Sequence, residues 1–581
     1  MTRKEKKALF YKRIGTLWRF AKPYTPLFLV AEICILITYS IALVLPLNLT
    51  WLIDKVLYKQ NTQAFRQIVI SYALYFTVSV VFNLIYAYVW QTLFNRFVVD
   101  VKTTMYQRVL FAKADFLSRM NCGDVMSRID QDADQFIYVI QRNLFHFVNS
   151  VLMCGGIIGV VAAINIPIAV VLVVAALVPI VFTRLNVRLT QKYAKAIRKT
   201  TGKLSGRLFE FIKGMREIRF LNAQRYAAKK LFQKFKELVH LNNKVRKVDF
   251  VVNKGTYLIN LSVTLVVYGI SCFFILNGHF TIGLFIAVTE YIRLLHRKFN
   301  WLLRIYLDWH VRKISIDRVN EILELPQEQE DPNARTMDKL RTVAFQNVSF
   351  GYEGERVLQN LSFSVSRGER VALVGASGAG KTTIAGLFLR LFEPQEGQIT
   401  ADGEDLSRYS PFQVRKNVTL VQQDIALFSS TIRENLLLAD AGCTEEQLWE
   451  ACRRVGMEQA VRALPQGLDT PVGSLANPLS MGQKQRLMIA KILLKPSGLV
   501  IFDESTASLD REAEELVLQN MQRIARRAGV LVISHRLSTI RSCDRIILLE
   551  GGAVLAEGTH EQLFNGCPAY RELFVQKEAA S

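Results

Sequence analysis

Val371-Ala-Leu-Val-Gly375-Ala-Ser-Gly-Ala-Gly380-Lys381-Thr-Thr383 decides how the C-terminal part of this chain folds. The stretch matches GxxxxGK[ST]. Val371–Val374 reads as a buried strand ahead of the loop and Ile384–Leu391 as a helix behind it, which is the context the motif requires. Glycines let backbone N–H groups approach phosphate oxygens without side-chain obstruction, and the start of the helix adds a favourable dipole. Gly375, Ala376, Ser377, Gly378, Ala379, Gly380, Lys381, Thr382 and Thr383 therefore form the candidate phosphate site. In such a loop the lysine reaches the β- and γ-phosphates and the first threonine ligates Mg²⁺.

Downstream, the apolar run Gly498–Phe502 ends in Asp503-Glu504. A strand closing on two acids is commonplace alone. Behind a phosphate loop it supplies a Mg²⁺ ligand, Asp503, acting through the metal's water shell, and a carboxylate, Glu504, that polarises the attacking water. Between loop and acids stands Leu479-Ser-Met-Gly-Gln483. It resembles the LSGGQ signature of ATP-binding cassette (ABC) proteins, which other P-loop NTPases lack. The resemblance implies further roles in family order. Tyr352 looks like the aromatic that stacks on adenine. Gln423, or its neighbour Gln422, resembles the Q-loop glutamine that contacts Mg²⁺. Ser508-Leu-Asp510 resembles the D-loop, and His535 resembles the switch histidine at the γ-phosphate. Ser480, Gly482 and Gln483 keep the signature pattern. Met481 departs from it, standing where the family usually has glycine. A methionine is compatible with the site if it points away from nucleotide.

Upstream the chain changes character. Of its 73 basic and 50 acidic residues, 27 and 29 fall from Asp338 onward, leaving 46 and 21 in the first 337. That first part is also strongly apolar. Runs of spanning length lie near Leu27–Leu47, Ile68–Trp90, Phe145–Asn165, Ile166–Leu185, Val252–Leu276 and Ile282–Trp301. A basic chain usually suggests nucleic acid. Here the basic residues sit between apolar runs, the pattern of cytoplasmic loops, so no nucleic-acid partner is expected. Six such runs exclude a soluble protein, and eight scattered cysteines without a CxxC exclude a disulfide framework or a zinc site. Met1–Lys22, basic with Trp18 and Phe20, reads as an interfacial helix rather than a signal peptide.

The connections alternate in length. Asn165 and Pro167 mark a tight turn between spans three and four, whereas Gln91–Leu144 and Asn186–Val251 are long, polar, basic and helical in pattern. The basic long connections place both termini and the C-terminal domain in the cytoplasm. Span six carries Glu290, Arg293, His296, Arg297 and Lys298. A charge at the bilayer centre costs about 2.5–3.5 kcal/mol, so such residues face a wet cavity or a partner, or snorkel to the interface. Glu290 and Arg293 are three apart and can pair on one helix face, with His296 and Arg297 as further candidate cavity residues. They suggest an anionic or amphipathic cargo.

The fold expected is an α-helical six-span membrane domain (1–323), a charged linker with Pro326 and Pro332 (324–338), and an α/β P-loop ATPase domain (339–581). This resembles an ABC half-transporter of the type I exporter class, the architecture of bacterial lipid flippases and multidrug exporters. The resemblance implies ATP and Mg²⁺ as ligands, ATP hydrolysis coupled to export by alternating access, and a multi-pass protein of the bacterial inner membrane. It also implies coupling segments near Asp115–Gly123 and Leu221–Tyr226. In ABC cassettes ATP lies between the P-loop of one cassette and the signature of another. One chain holds one of each, so a second half-transporter is required, a homodimer being favoured over a heterodimer. An importer built on the same fold, as in some siderophore systems, is the alternative.

Overall fold

The structure is a computed structural model that describes residues 3–114, 116, 122–328, 335–337, 339–352, 354–376, 378–421, 427–473, 479–503, 511–534 and 536–578. Two compact units emerge. Unit one comprises Met1–Leu110 and Met120–Leu325; unit two comprises Phe111–Arg119 and Pro326–Ser581.

Unit one is helical. A basic helix, Arg3–Ala21, leads through the short turn Lys22–Tyr24 into six long helices: Thr25–Trp51, Thr62–Leu110, Phe145–Ile164, Ile166–Lys213, Gln224–Leu276 and Ile282–Leu323. Each contains one of the expected spans. Helices of 49 and 53 residues are about 75–80 Å long at 1.5 Å per residue, well beyond a hydrocarbon core of about 30 Å. The long polar connections are thus continuations of the spans.

Four stretches among the described residues are long and apolar enough to cross a membrane: Tyr11–Leu57, Thr62–Leu110, Gly123–Ile164 and Gln224–Leu276. A shorter apolar stretch, Ile166–Val181, opens the fourth long helix. The sixth does not qualify on composition, because its first turns carry Glu290, Arg293, Arg297 and Lys298. These charges need water or a partner inside the membrane.

The turns follow from their sequences. Asn165 alone separates the third and fourth long helices; its side-chain oxygen accepts from the Ile168 amide at 3.2 Å, and Pro167 occupies the first helical turn. Thr281 caps the sixth long helix, and Asp54 accepts from both the Thr281 hydroxyl (2.6 Å) and the Gly283 amide (3.1 Å). A short helix lies at Met215–Phe220, directly ahead of the second expected coupling segment, Leu221–Tyr226. Gly214 breaks the incoming helix and Asn222, at φ 50°, turns the chain before Gln224 resumes helix. The first expected segment, Asp115–Gly123, lies largely outside the described residues.

Unit two holds two main sheets. The antiparallel one runs Glu355–Ser366, Thr342–Tyr352, Glu396–Ala401, Glu404–Asp405. The other runs Ala553–Gly558, Arg545–Glu550, Arg370–Gly375, Gly529–Ile533, Leu499–Asp503, Val418–Val421, and all but its first strand are parallel. Parallel strands covered on both faces read as unbroken apolar runs, as Val371–Val374 and Leu499–Phe502 do. One core packs Leu373, Ile384, Phe388 and Phe345 between the sheets. A second packs Leu448, Leu487 and Phe502 beneath a group of helices.

Candidate active site

The expected site residues arrive from several places in the chain, and the parallel sheet sets where three of its strands end. Leu373, Ile533 and Asp503 stand in register across three adjacent strands. Gly375, Ile533 and Asp503 therefore end their strands at one edge of the sheet. That edge, at the carboxyl ends of the strands, is where open α/β sheets bind ligands.

The loop itself is held by its own chain. A Cβ at Gly375 would lie 2.6 Å from the Leu549 carbonyl oxygen. Gly380 adopts φ 91°, and a Cβ there would meet Leu358 at 2.5 Å. Gly380, the N-cap of the helix Lys381–Phe388, makes no side-chain cap bond, a helix start suited to an outside acceptor. Lys381 is buried, and its Nζ donates to the carbonyls of Gly375 and Ala376, each at 2.9 Å. A lysine folded into a glycine cradle beside an uncapped helix start is a donor set suited to phosphate. The two threonines divide. Thr382 is exposed, whereas Thr383 is buried with its hydroxyl 3.3 Å from that of Tyr352. The Tyr352 ring stands edge-on to Phe350 and Phe392, at 5.0 and 5.4 Å, and is 40% exposed.

A cavity of about 540 Å³ opens beside the loop, within the ~300–1,000 Å³ of ligand pockets. Ala376, Gly378 and Ala379 line it together with Arg356, Val357 and Glu550. Sequence reasoning missed Arg356 and Val357. Their only signal is the place of Val357 on the strand that returns from Tyr352.

Ser480 begins the signature helix, Met481–Leu494, with a capping box. The Ser480 hydroxyl accepts from the Gln483 amide at 3.3 Å, and the Gln483 side chain accepts from the Ser480 amide at 2.8 Å. The signature-like spacing of Ser480 and Gln483 thus has a local role. Gly482 has none: among the described residues no atom lies within 4 Å of a Cβ placed there. Ser377, Gln422, Gln423, Glu504, Asp510 and His535 lie outside the described residues, as does the side chain of Met481.

In span six, Arg293 Nη2 pairs with Glu290 Oε1 at 3.2 Å, on the helix face expected from their spacing. Arg293 and Arg297 are exposed and His296 half-buried. Lys298 turns away from both, donating to the Tyr39 hydroxyl at 2.7 Å with its ammonium over that ring.

The linker holds a contact that composition did not reveal. Glu328 pairs with Arg415 through both oxygens, at 2.6 and 2.8 Å. Arg415 also donates to the carbonyls of Leu389 and Arg390. The same linker carries Phe111–Lys113: Lys113 N donates to Pro326 O at 2.9 Å, Glu328 N to Phe111 O at 2.7 Å, and Ala112 bridges Gln327.

Comparison with known proteins agrees with both units. Residues 28–299 match the ABC transporter transmembrane region, and residues 358–507 match the ABC transporter family. The Bacillus subtilis ATP-binding/permease protein YgaD, named for multidrug export, is 30% identical across 96% of this chain and 98% of its own length. The ATP-dependent lipid A-core flippase of Syntrophus aciditrophicus is 28% identical across 94% of this chain and 91% of its own. A bacterial Atm1-family ABC exporter solved with ATP bound shares the fold, with a TM-score of 0.85 and 24% identity, over 95% of this chain and 98% of that one. With a phosphate loop, a capped signature helix and a six-helix membrane unit in one polypeptide, the chain belongs to the ABC transporter family: it is an integral-membrane half-transporter of the exporter type, which binds ATP and couples its hydrolysis to export.

Proposed function

We propose that the chain works as a homodimer in a bacterial inner membrane, with termini and ATPase domains cytoplasmic, and exports an amphipathic, anionic cargo. The observation that carries the dimer is Gly482. A residue without a side chain, with no described atom within 4 Å of where one would stand, leaves room for a neighbour from a second copy. That neighbour is nucleotide on the phosphate loop of the second copy.

In this reading the residues divide the work. Lys381 and the amides of Gly375–Thr383 hold the phosphates, and Tyr352 holds the base. Thr382, Gln423 and Asp503 would hold Mg²⁺, which offsets phosphate charge. Thr382 suits this because its hydroxyl is exposed in the first helical turn, while that of Thr383 is engaged. Glu504 orients the attacking water and His535 contacts the γ-phosphate. Asp510, Ser480, Gly482 and Gln483 close the site from the other copy. Tight binding of ATP to the closed pair drives closure, and hydrolysis releases it.

Coupling to the spans runs through two tips. Phe111–Lys113, at the end of the second long helix, is tied to the linker by the contacts above. Met215, Phe220 and Leu221 form an exposed apolar tip on the other cytoplasmic hairpin, a surface suited to a partner. Cargo contact falls to Arg293, Arg297, His296 and Glu290. Arginines exposed within a span favour an anionic headgroup on an apolar body. The relatives named for multidrug export and for lipid A-core flipping support that class.

The test is ATP turnover of the chain purified alone in lipid. Turnover that disappears in Glu504→Gln, with ATP still bound, is expected. An inactive but folded wild-type sample would replace the homodimer with a heterodimer, and turnover surviving in Glu504→Gln would refute the role of that carboxylate.

A further inference from the structure

Away from the cassette and from span six, unit one contains a cavity of about 260 Å³ between the N-terminal helix and the first and third long helices. Leu17, Trp18, Phe28, Leu29 and Phe145 make most of its wall, and Glu32 is the one charged side chain among the lining residues. Phe28 and Phe145 stand 5.9 Å apart, and Trp90 backs them at 4.7 Å from Phe145, so the wall is aromatic on one side.

The polar end of this cavity is short of donors. Glu32 Oε2 accepts from Asn149 Nδ2 at 3.3 Å, a long bond. Glu32 Oε1 is buried with no hydrogen-bond partner among the described residues. Asn149 is fully buried, and its Oδ1 has no partner either. Two buried acceptors without a donor are costly, and a carboxylate most of all. What would satisfy them is a group that brings N–H donors and positive charge.

We propose that this cavity binds a small amphipathic organic ammonium ion, its apolar body against Phe28, Phe145 and Trp18 and its ammonium at Glu32. Aromatic faces beside a carboxylate are the surroundings that stabilise such a cation. The terminal torsion of a glutamate side chain is soft, so the carboxylate turns into the cavity at little cost. The volume is just under that of drug-sized pockets, which sets the occupant as a single-ring or short-chain amine. Trp18 and Leu29 are exposed on the outer surface, so the occupant enters sideways from the surrounding lipid. The site is separate from the exposed arginines of span six and does not depend on what the protein exports.

The test measures binding of radiolabelled 4-phenylbutylammonium to the full chain in phosphatidylcholine vesicles, corrected for protein-free vesicles. Its neutral analogue, 4-phenylbutan-1-ol, has the same body and serves as the comparison. Saturable binding with the ammonium at least about tenfold tighter than the alcohol is expected. In Glu32→Gln that preference should fall to within about twofold while the alcohol binds as before. Leu29→Trp, which fills the cavity, should weaken both probes. Equal affinities in the wild-type chain would show a cavity that takes only apolar chains, such as a lipid tail, and would overturn the proposal. So would a preference that survives Glu32→Gln, or binding untouched by Leu29→Trp. Should Glu32→Gln fail to assemble, the wild-type ratio of the two probes decides.

Discussion

The two glycine-containing motifs of the cassette face different neighbours. At the phosphate loop the chain itself demands the glycines: Gly375 abuts the Leu549 carbonyl, and Gly380 combines a left-handed backbone with contact to Leu358. At the signature, Ser480 and Gln483 are consumed in capping their own helix, and among the described residues no atom lies within 4 Å of a Cβ at Gly482. The first motif is explained largely by contacts within its own fold. The second keeps one glycine that the described residues do not explain. A motif can thus be sorted by asking whether its own chain explains each residue, and what is left unexplained points to the partner.

The largest effect should come from breaking the self-contained motif. Lys381→Ala removes the buried donor at the loop, and ATP turnover should fall by about 10²–10³-fold, the usual loss for one preorganised donor. Turnover within a few-fold of wild type would mean the loop does not carry the chemistry. The comparison is sharpened by alanine at the two kinds of glycine. Gly375→Ala should lower the stability of the cassette by about 1–3 kcal/mol, because the new methyl meets backbone. Gly482→Ala should leave stability unchanged or raise it by up to about 1 kcal/mol, since alanine suits a helix better than glycine. It should nevertheless cut turnover at least about tenfold by obstructing the approach of nucleotide. Melting curves and ATPase assays on the same two proteins check this, and loss of stability in Gly482→Ala would remove the argument for an outside neighbour.

Next in size is the linker. Glu328→Gln weakens a bidentate pair whose carboxylate is 9% exposed, at a cost of about 1–3 kcal/mol. Basal ATP turnover should persist while its stimulation by cargo declines, because Phe111–Lys113 is tied to the same linker residues. Equal losses in both would assign the pair to stability alone. The smallest effect concerns Asp544. Arg370 beside it holds its carboxyl below the ordinary 3.8. A depressed carboxyl stabilises the fold above its ordinary value and loses that contribution as pH falls through the lowered one. Asp544→Asn should therefore flatten the acid limb of cassette stability below about pH 4, by less than about 1 kcal/mol because the side chain is half exposed. An unchanged acid limb would remove the pair from the account.

Much of this was legible beforehand for a simple reason. Spans are read from apolar length, and the phosphate loop from residues whose spacing is dictated by phosphate geometry. The Glu290–Arg293 pair followed from helical spacing alone. What escaped were contacts between residues far apart in sequence: Glu328 with Arg415, Lys298 with Tyr39, Glu32 with Asn149. The position of the short helix near Leu221 escaped differently. Gly214 and Asn222 are both plausible ends for it, and only the path of the backbone places it at Met215–Phe220.

The sequence by itself determined the class of protein, the number of long helices and the identity of the phosphate loop. Each rests on local order: hydrophobic run length, glycine spacing, a lysine next to threonine. Tertiary structure alone decided which acid, arginine or tyrosine answers which. It brought Leu373, Ile533 and Asp503 into register, left Gly482 without a described neighbour within 4 Å of a Cβ, and set two unpaired acceptors, Glu32 Oε1 and Asn149 Oδ1, beside one another at an aromatic cavity that Glu32 lines. Pairing energies depend on distance through space, and a linear pattern does not contain that distance until the chain has folded.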